Sequence, residues 1–258
     1  MNLEMYSLNG AIPSIEDERD YKIDDKLISC APNLPEEYDN GILDYVLDQG
    51  MSSTCVACSL SLLRYFQEYE QSNNRKPYSP SYIYANRLEN DHQGEGMSPR
   101  QALKTLKDFG DTHLEDFPGF YSYKKAVEIY KSKKEKLDNI AHPFRISKYY
   151  RVSDIIEIKT AIYTLKGVTA MIPTYDCMYS VNKDGTINFD PVKEYKNRGY
   201  HQVTFKGWTK DGWIMQNSWG KKFGKNGTCI LPYDYPLVES WAVIDEILEE
   251  KYEIRQEN

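Results

Sequence analysis

The apolar pattern of this chain changes period at Gly167, and that change limits the folds open to it. Before Gly167, apolar residues recur at helical spacing. From Cys55 to about Tyr69, one stripe holds Cys58, Leu62, Tyr65 and Tyr69, and a second holds Val56, Leu60 and Leu63. A helix apolar on two sides is expected to be central and buried. Ser79-Pro80 and Ser98-Pro99 each open a helix, with serine as N-cap and proline at the first helical position. The second adds the Ser98-to-Gln101 capping-box spacing and stops at Gly110. A fourth helix is expected from Ser153 to about Lys166. After Gly167 come three strand-like runs, VTAMIPTY (168–175), HQVTFKGW (201–208) and WIMQNSW (213–219), with Asp211-Gly212 as a hairpin turn. Helices followed by antiparallel strands give an α+β order in two lobes, and a cleft between lobes is a common place for a site. The expected division is an extended arm over 1–33, a mainly helical lobe over 34–140 and a mainly β lobe over 141–258.

Composition narrows the function. The chain has 258 residues, 40% apolar and 13% aromatic, enough for a sizeable core. A net charge of −7 gives no general attraction to nucleic acid or to an anionic membrane, so neither is expected as a partner. The basic run at 124–136 is interleaved with glutamate and apolar residues and reads as a solvated helix face. The first 20 residues hold no apolar signal-like core, and nowhere do 18 consecutive apolar residues occur. Neither a signal peptide nor a membrane span is expected. Five cysteines, an odd number, fit free thiols in a reducing cytoplasm better than a disulfide framework.

Two of those cysteines, Cys55 and Cys58, stand at Cys-x-x-Cys spacing. A thioredoxin-like redox pair would follow a strand in a βαβ unit, and none surrounds them. Structural zinc would need a second ligand pair, whereas Cys30, Cys177, Cys229 and all four histidines are scattered singly. No metal and no cofactor is expected. A nucleophile reading uses more of the sequence. Cys55 sits where a loop becomes a helix, near free backbone N–H groups and the positive dipole end, which favours a thiolate. Cys58 points along the buried stripe and acts as a small hydrophobe. The nucleophile needs a base and the base an orienting group. His92 and His113 fall in polar segments expected to be exposed, and His142 precedes a proline in a linker. His201 opens a strand and is followed 16 residues on by Asn217. Simple two-residue-loop pairing sets Asn217 opposite Lys206, not His201; a bulge near Gly207 is one way to close that gap, and periodicity alone does not show it.

Several segments, taken in order, resemble the papain-like cysteine peptidases. QGMSSTCVA (49–57) is similar to the family's segment around its nucleophile, and YHQVTFKGW (200–208) to the strand bearing its histidine. WIMQNSWGKKFGKNG (213–227) resembles its Asn-Ser-Trp-Gly block. LPEEYD (34–39), SPSYIYANRLEND (79–91) and GMSPRQALKTLKDFG (96–110) resemble the start of the mature enzyme and two further segments. The resemblance covers about 34–245. It implies a papain-like two-lobe fold, a helical lobe and an antiparallel β-barrel-like lobe with the active site in the cleft between them. It implies Cys55 as nucleophile, His201 as base and acid, Asn217 as orienter, and Gln49 with the Cys55 N–H as oxyanion hole. Trp219 would shield the His201–Asn217 bond. Gly96, Met97 and Ser98 would border the unprimed side of the groove, with Tyr200 beside His201. Ser53, Thr54 and Val56 depart from the family's usual glycine, small residue and tryptophan.

The expected function is therefore hydrolysis of peptide bonds in a peptide or protein substrate through a Cys55 acyl-enzyme. The alternatives are a papain-like peptide-binding module that has lost turnover, and thiol–disulfide exchange through Cys55 and Cys58. Papain relatives are typically made with a long helical pro-segment that fills the cleft. The 33 residues here carry Gly10, Pro13 and Pro32 and no helical stripe. They are expected to lie extended along one lobe and to leave the intact chain competent.

Overall fold

The computed structural model describes residues 10–18, 20, 33–42, 45–88, 91 and 93–245. A two-residue strand, β1 (Tyr38–Asp39), precedes the central helix α1 (Cys55–Ser72). Three helices follow: α2 (Pro80–Ala85), α3 (Pro99–Phe109) and α4 (Tyr123–Ala141). Strand β2 (Ile146–Arg151) and helix α5 (Ile155–Leu165) lead into β3 (Val168–Pro173), β4 (Tyr200–Thr209), β5 (Gly212–Gln216), β6 (Thr228–Pro232) and β7 (Glu239–Asp245). The strands form one antiparallel sheet in the order β2-β7-β3-β4-β5-β6, with β1 also on β4. This is the α+β, two-lobe order expected from the sequence.

The central helix is buried as its two stripes require. Every residue from Cys55 to Glu68 is buried. Val56, Leu60 and Leu63 join Leu103, Leu106 and the sheet residues Met171 and Trp241 in one core. Cys58 and Leu62 instead pack on Leu47, and Tyr65 on Ile42. On the other side of the sheet, Ile158, Ile162 and Leu165 of α5 cover Val203, Phe205, Trp213 and Trp219. Polar keys fix α1 along the sheet. The Ser59 hydroxyl meets Thr169 Oγ1 at 2.7 Å, Thr204 Oγ1 at 2.9 Å and the Val203 carbonyl at 2.7 Å. Further along, Arg64 donates to Asp245 at 2.7 Å, both side chains buried. A buried pair of this kind costs several kcal/mol to break from one side, so it resists sliding of α1 against β7.

Helix ends differ locally from expectation. Ser98 does cap α3 by position, but its hydroxyl makes no cap bond and instead meets Ser14 Oγ at 3.1 Å. The fourth expected helix begins one residue late: Asp154, not Ser153, is the N-cap, forming a capping box with Glu157. The β4–β5 turn is Lys210-Asp211, with Gly212 already paired to Thr209. His113, expected to be exposed, is buried between Tyr78 and Phe144, with ring centroids 5.1 and 4.9 Å away. His142 is exposed as expected for a linker, while His92 and Cys30 lie outside the described residues.

The sheet register decides what faces the cleft. From the Thr209–Gly212 pair alone, Asn217 would fall opposite Thr204, whose side chain faces away from that of His201. A shift between Phe205 and Gly207 absorbs Lys206 as an extra residue, so that Thr204 pairs with Gln216. Asn217 then falls beside Val203, on the face of His201. One residue of slip exchanges the two faces of a strand, and this bulge supplies it. The extra residue is held from below: Lys206 Nζ lies 2.7 Å from Asp39 Oδ1 and donates to the Ile42 carbonyl at 3.0 Å. At Gly207 a Cβ would stand 2.2 Å from the Tyr38 carbonyl oxygen and 2.9 Å from Asp39 Cα, backbone atoms with little freedom to yield. Gly207→Ala is therefore expected to lower stability by about 1–3 kcal/mol through overpacking, read as a lower urea midpoint. An unchanged midpoint would contradict the packing of β1 on the bulge.

Candidate active site

Cys55 is the first residue of α1, behind Thr54 as N-cap. The Thr54 hydroxyl makes no cap bond and is taken by Ser52 Oγ at 2.7 Å and Cys58 Sγ at 3.5 Å. Complete burial pushes the Cys55 thiol up to about 12, against the pull of backbone N–H groups of Gln202, Val56 and Cys55 itself. The helix start thus acts in the expected direction, but desolvation outweighs it, and the low thiol pKa expected from position alone is not realised in this covered state. The Gln202 contact also fixes geometry. Residue 202 follows His201, so α1 and β4 meet at this sulfur. Cys58 is buried as well, and burial likewise raises its thiol pKa.

His201 is fully buried, and its Nε2 lies 2.7 Å from Asn217 Oδ1. The orientation of that amide follows from a neighbour: the Ser218 backbone N–H, which can only donate, reaches the same Oδ1 at 2.7 Å. Oδ1 is therefore the acceptor, and Nε2 carries the proton. The other ring nitrogen, Nδ1, is buried with no hydrogen-bond partner among the described residues. This leaves a lone pair available to take a proton. Burial lowers the imidazole pKa to about 4, with the Asn217 bond acting in the opposite sense. The Trp219 ring lies 4.7 Å from that of His201 and is itself stacked on Tyr179 at 5.2 Å. Trp219 is fully buried and covers this side of the imidazole.

Gln49 is joined to the Asn217 loop by chain pairing. Asp48 bridges Trp219, and the Gln49 N–H donates to the Ser218 carbonyl at 2.9 Å. Its side-chain oxygen accepts from Ser218 Oγ at 2.5 Å, and its Nε2 donates to the Ser52 carbonyl at 2.8 Å. The fixed amide oxygen keeps Nε2 on the side of the loop that runs into Cys55.

The described part of the arm runs between the lobes, not along one of them. Met97 N–H donates to the Gly10 carbonyl and Ile12 N–H to the Met97 carbonyl, both at 3.1 Å, while Ala11 N–H reaches the Tyr200 carbonyl at 3.4 Å. A Cβ on Gly10 would stand 2.7 Å from Cys55 Sγ, so the arm lies directly on the sulfur. Beyond it, Ser14 N–H donates to Glu239 Oε1 at 2.8 Å. Asp20 pairs with Arg100, which also bonds the Ile15 carbonyl, and lies 3.6 Å from Arg151. Met97, Ser98 and Tyr200 thus meet in one groove, with the arm in it. Gly96 is turned away, its N–H donating to the Tyr84 hydroxyl at 2.7 Å and its carbonyl accepting from Arg87. Sequence reasoning missed Ser218, Tyr179, Arg100 and Glu239. For Glu239 the available signal was a carboxylate opening a strand, ESWAVID, whose centre WAVI is apolar.

Cys177 and Cys229 are free and buried, as are Cys55 and Cys58. Among the described residues no cluster of three or more His, Cys, Asp or Glu side chains is placed to hold a metal ion. No described helix is long and apolar enough to cross a membrane.

The profile of the papain family cysteine proteases matches residues 34–235. The uncharacterized peptidase C1-like protein L477 of Acanthamoeba polyphaga mimivirus is 29% identical over 90% of this chain and 84% of its own length. Among solved structures, xylellain, a cysteine protease from Xylella fastidiosa, superposes with a TM-score of 0.77 at 22% identity, covering 93% of this chain and 96% of its own. Procathepsin B S9 from Trypanosoma congolense gives 0.69 at 13% identity, over 93% and 86%. These two likenesses concern the fold. With the family profile spanning most of the sequence, the chain belongs to the papain family of cysteine proteases.

Proposed function

We propose that the chain hydrolyses peptide bonds through a Cys55 acyl-enzyme, with the described arm as a cover that must leave before turnover. The observation that carries this reading is the His201–Asn217 bond at 2.7 Å, which leaves Nδ1 without a partner among the described residues, on a strand whose next N–H meets the Cys55 sulfur. In the reaction, Nδ1 takes the thiol proton and the sulfur attacks the scissile carbonyl. The imidazolium then gives that proton to the leaving amine. A water, deprotonated by the same nitrogen, hydrolyses the thioester, and the proton returns to the thiol. Asn217 holds the ring through Nε2 throughout. Gln49 Nε2 and the Cys55 N–H receive the negative oxygen of each tetrahedral intermediate.

One nucleophile suffices for this chemistry. Cys58 is enclosed by Leu47 and Leu62, a setting that supports packing over disulfide exchange. A pure binding module would not require an imidazole whose Nδ1 has no partner among the described residues, on the strand whose Gln202 N–H meets the Cys55 sulfur. The cytoplasmic setting expected from the sequence belongs to this proposal, in keeping with four buried free thiols.

The cover acts in two ways. Gly10 occupies the space over the sulfur, and the burial it completes keeps thiol and imidazole neutral, with pKa values displaced to about 12 and about 4. The expectation that the intact chain is competent therefore gives way to latency. A chain lacking residues 1–32, or the full chain with Gly10→Val, is expected to turn over peptides faster than the full chain and to react faster with iodoacetamide at Cys55 at pH 7. Equal rates with and without the arm would contradict the cover.

In the uncovered enzyme, Cys55→Ser and His201→Ala are expected to abolish turnover, whereas Cys58→Ser keeps most of it and Asn217→Ala retains a fraction. Equal loss from Cys55→Ser and Cys58→Ser would contradict a single nucleophile. Gln49→Ala should lower kcat by about 10²–10³ with little change in KM. A change confined to KM would make Gln49 a substrate-binding group instead.

A further inference from the structure

Strand β4 is paired with β3 from Tyr200 to Phe205 but with β5 only from Thr204 onward. Gln202 lies short of that junction, so its N–H has no partner in β5 and meets the Cys55 sulfur instead. On that edge no ladder bond to β5 fixes where this N–H points. Its side chain, fully enclosed, shares with Thr204 the face of β4 that packs on α1.

There the amide enters a row of hydrogen bonds whose direction is set by counting donors. The Val203 carbonyl can only accept, so the single hydrogen of the Ser59 hydroxyl goes to it, at 2.7 Å. Ser59 Oγ then accepts from Thr169 Oγ1, also 2.7 Å away. Thr169 Oγ1 is left as the acceptor for Gln202 Nε2, which donates to it at 2.7 Å. Every contact carries one hydrogen only if the row runs from Gln202 through Thr169 and Ser59 to Val203. The same order fixes the amide: Oε1 is the atom left over, buried with no partner among the described residues. An apolar side chain at this position would avoid that orphan, so the amide is costly here unless it serves as an anchor. The row is suited to anchoring. Ser59 lies one turn along α1 from Cys55, Thr169 is in β3, and Gln202 is the residue whose N–H touches the sulfur. A hydrogen bond from an N–H stabilises a thiolate more than a thiol, so the placement of this N–H bears on how readily Cys55 ionises once uncovered.

We propose that Gln202 is a positioning residue for the reaction, its side chain anchored through Thr169 to Ser59 so that its backbone N–H stays on the Cys55 sulfur. This rests on Cys55 as the nucleophile, and its test reads the thiol without turnover. Alkylation of Cys55 by iodoacetamide is followed as a function of pH in the full chain, with the modified residue identified by mass spectrometry. The arm slows every variant alike, so the midpoint of the pH profile is the readout. Gln202→Met keeps the length of the side chain and removes the amide. It should raise the midpoint by about one pH unit, with a roughly tenfold lower rate on the limb below it. Thr169→Val, which removes the acceptor, should do the same, and Thr169→Ser should recover what Thr169→Val loses. Gln202→Met and Thr169→Val together should shift the midpoint no further than either alone, because both break one row. A merely structural role would lower the urea midpoint and leave the alkylation midpoint in place, which would overturn the proposal. So would a shift from only one of the two substitutions, shifts that add, or a shift that Thr169→Ser does not reverse. Should Gln202→Met fail to fold, the two Thr169 variants decide: a midpoint lost and recovered upholds the proposal, and an unmoved one overturns it. A midpoint set by Thr169 in a chain that hydrolyses nothing would uphold this inference and refute the peptidase reading.

Discussion

The hydrogen bond from His201 Nε2 to Asn217 Oδ1, 2.7 Å long and buried, is the contact on which the rest of the site depends. Neither residue reaches the other by strand pairing alone. The extra residue in β4 is what turns Asn217 to the histidine face, and that residue, Lys206, is anchored by its ion pair with Asp39 and its bond to the Ile42 carbonyl. Ser218 then fixes the amide by its own N–H, and the fixed amide selects the tautomer of the ring. Each step removes one choice, so that Nδ1 is the ring nitrogen with no partner among the described residues, on the residue before the one whose N–H touches Cys55.

The electrostatics of the site follow from what covers it. In water the same helix start would favour a thiolate, but enclosed under Gly10 the thiol and the imidazole are both held neutral. The sign of the histidine's contribution follows directly. Its pKa falls from 6.5 to about 4 on burial, so the covered state has its full advantage above about 6.5 and loses it as the pH falls toward about 4. The arm itself is held largely by backbone pairing with Met97 and Tyr200, interactions that do not depend on side-chain identity. Its selective contacts are at the far end, where Ser14 and Asp20 meet Glu239, Arg100 and Arg151.

Much of this was legible in the sequence because it is written in short-range periodicity. The double stripe on α1, the proline-opened helices and the strands after Gly167 each follow from local spacing, and the structure reproduces them. The cysteine at the helix start was also readable, as a property of one segment, whereas the bulge near Gly207 was only one way to close the gap between Asn217 and His201 until the register was seen. What escaped was long-range. The Ser98 hydroxyl looked like a cap and is instead turned to Ser14, 84 residues away. His113 sits in a polar run yet is buried by Tyr78 and Phe144, which no local pattern connects to it. The path of the arm depends on backbone groups of Met97 and Tyr200, and backbone hydrogen bonding leaves no mark on side-chain composition. That Glu239 accepts from the arm is visible only once that path is known.

Treating the uncovered protein with a peptidyl epoxide and mapping the modified residue by mass spectrometry shows whether Cys55 is the single nucleophile. One adduct is expected, on Cys55, and it is lost when His201 is replaced by alanine. An adduct on Cys58, or one on Cys55 that forms equally fast without His201, would contradict it.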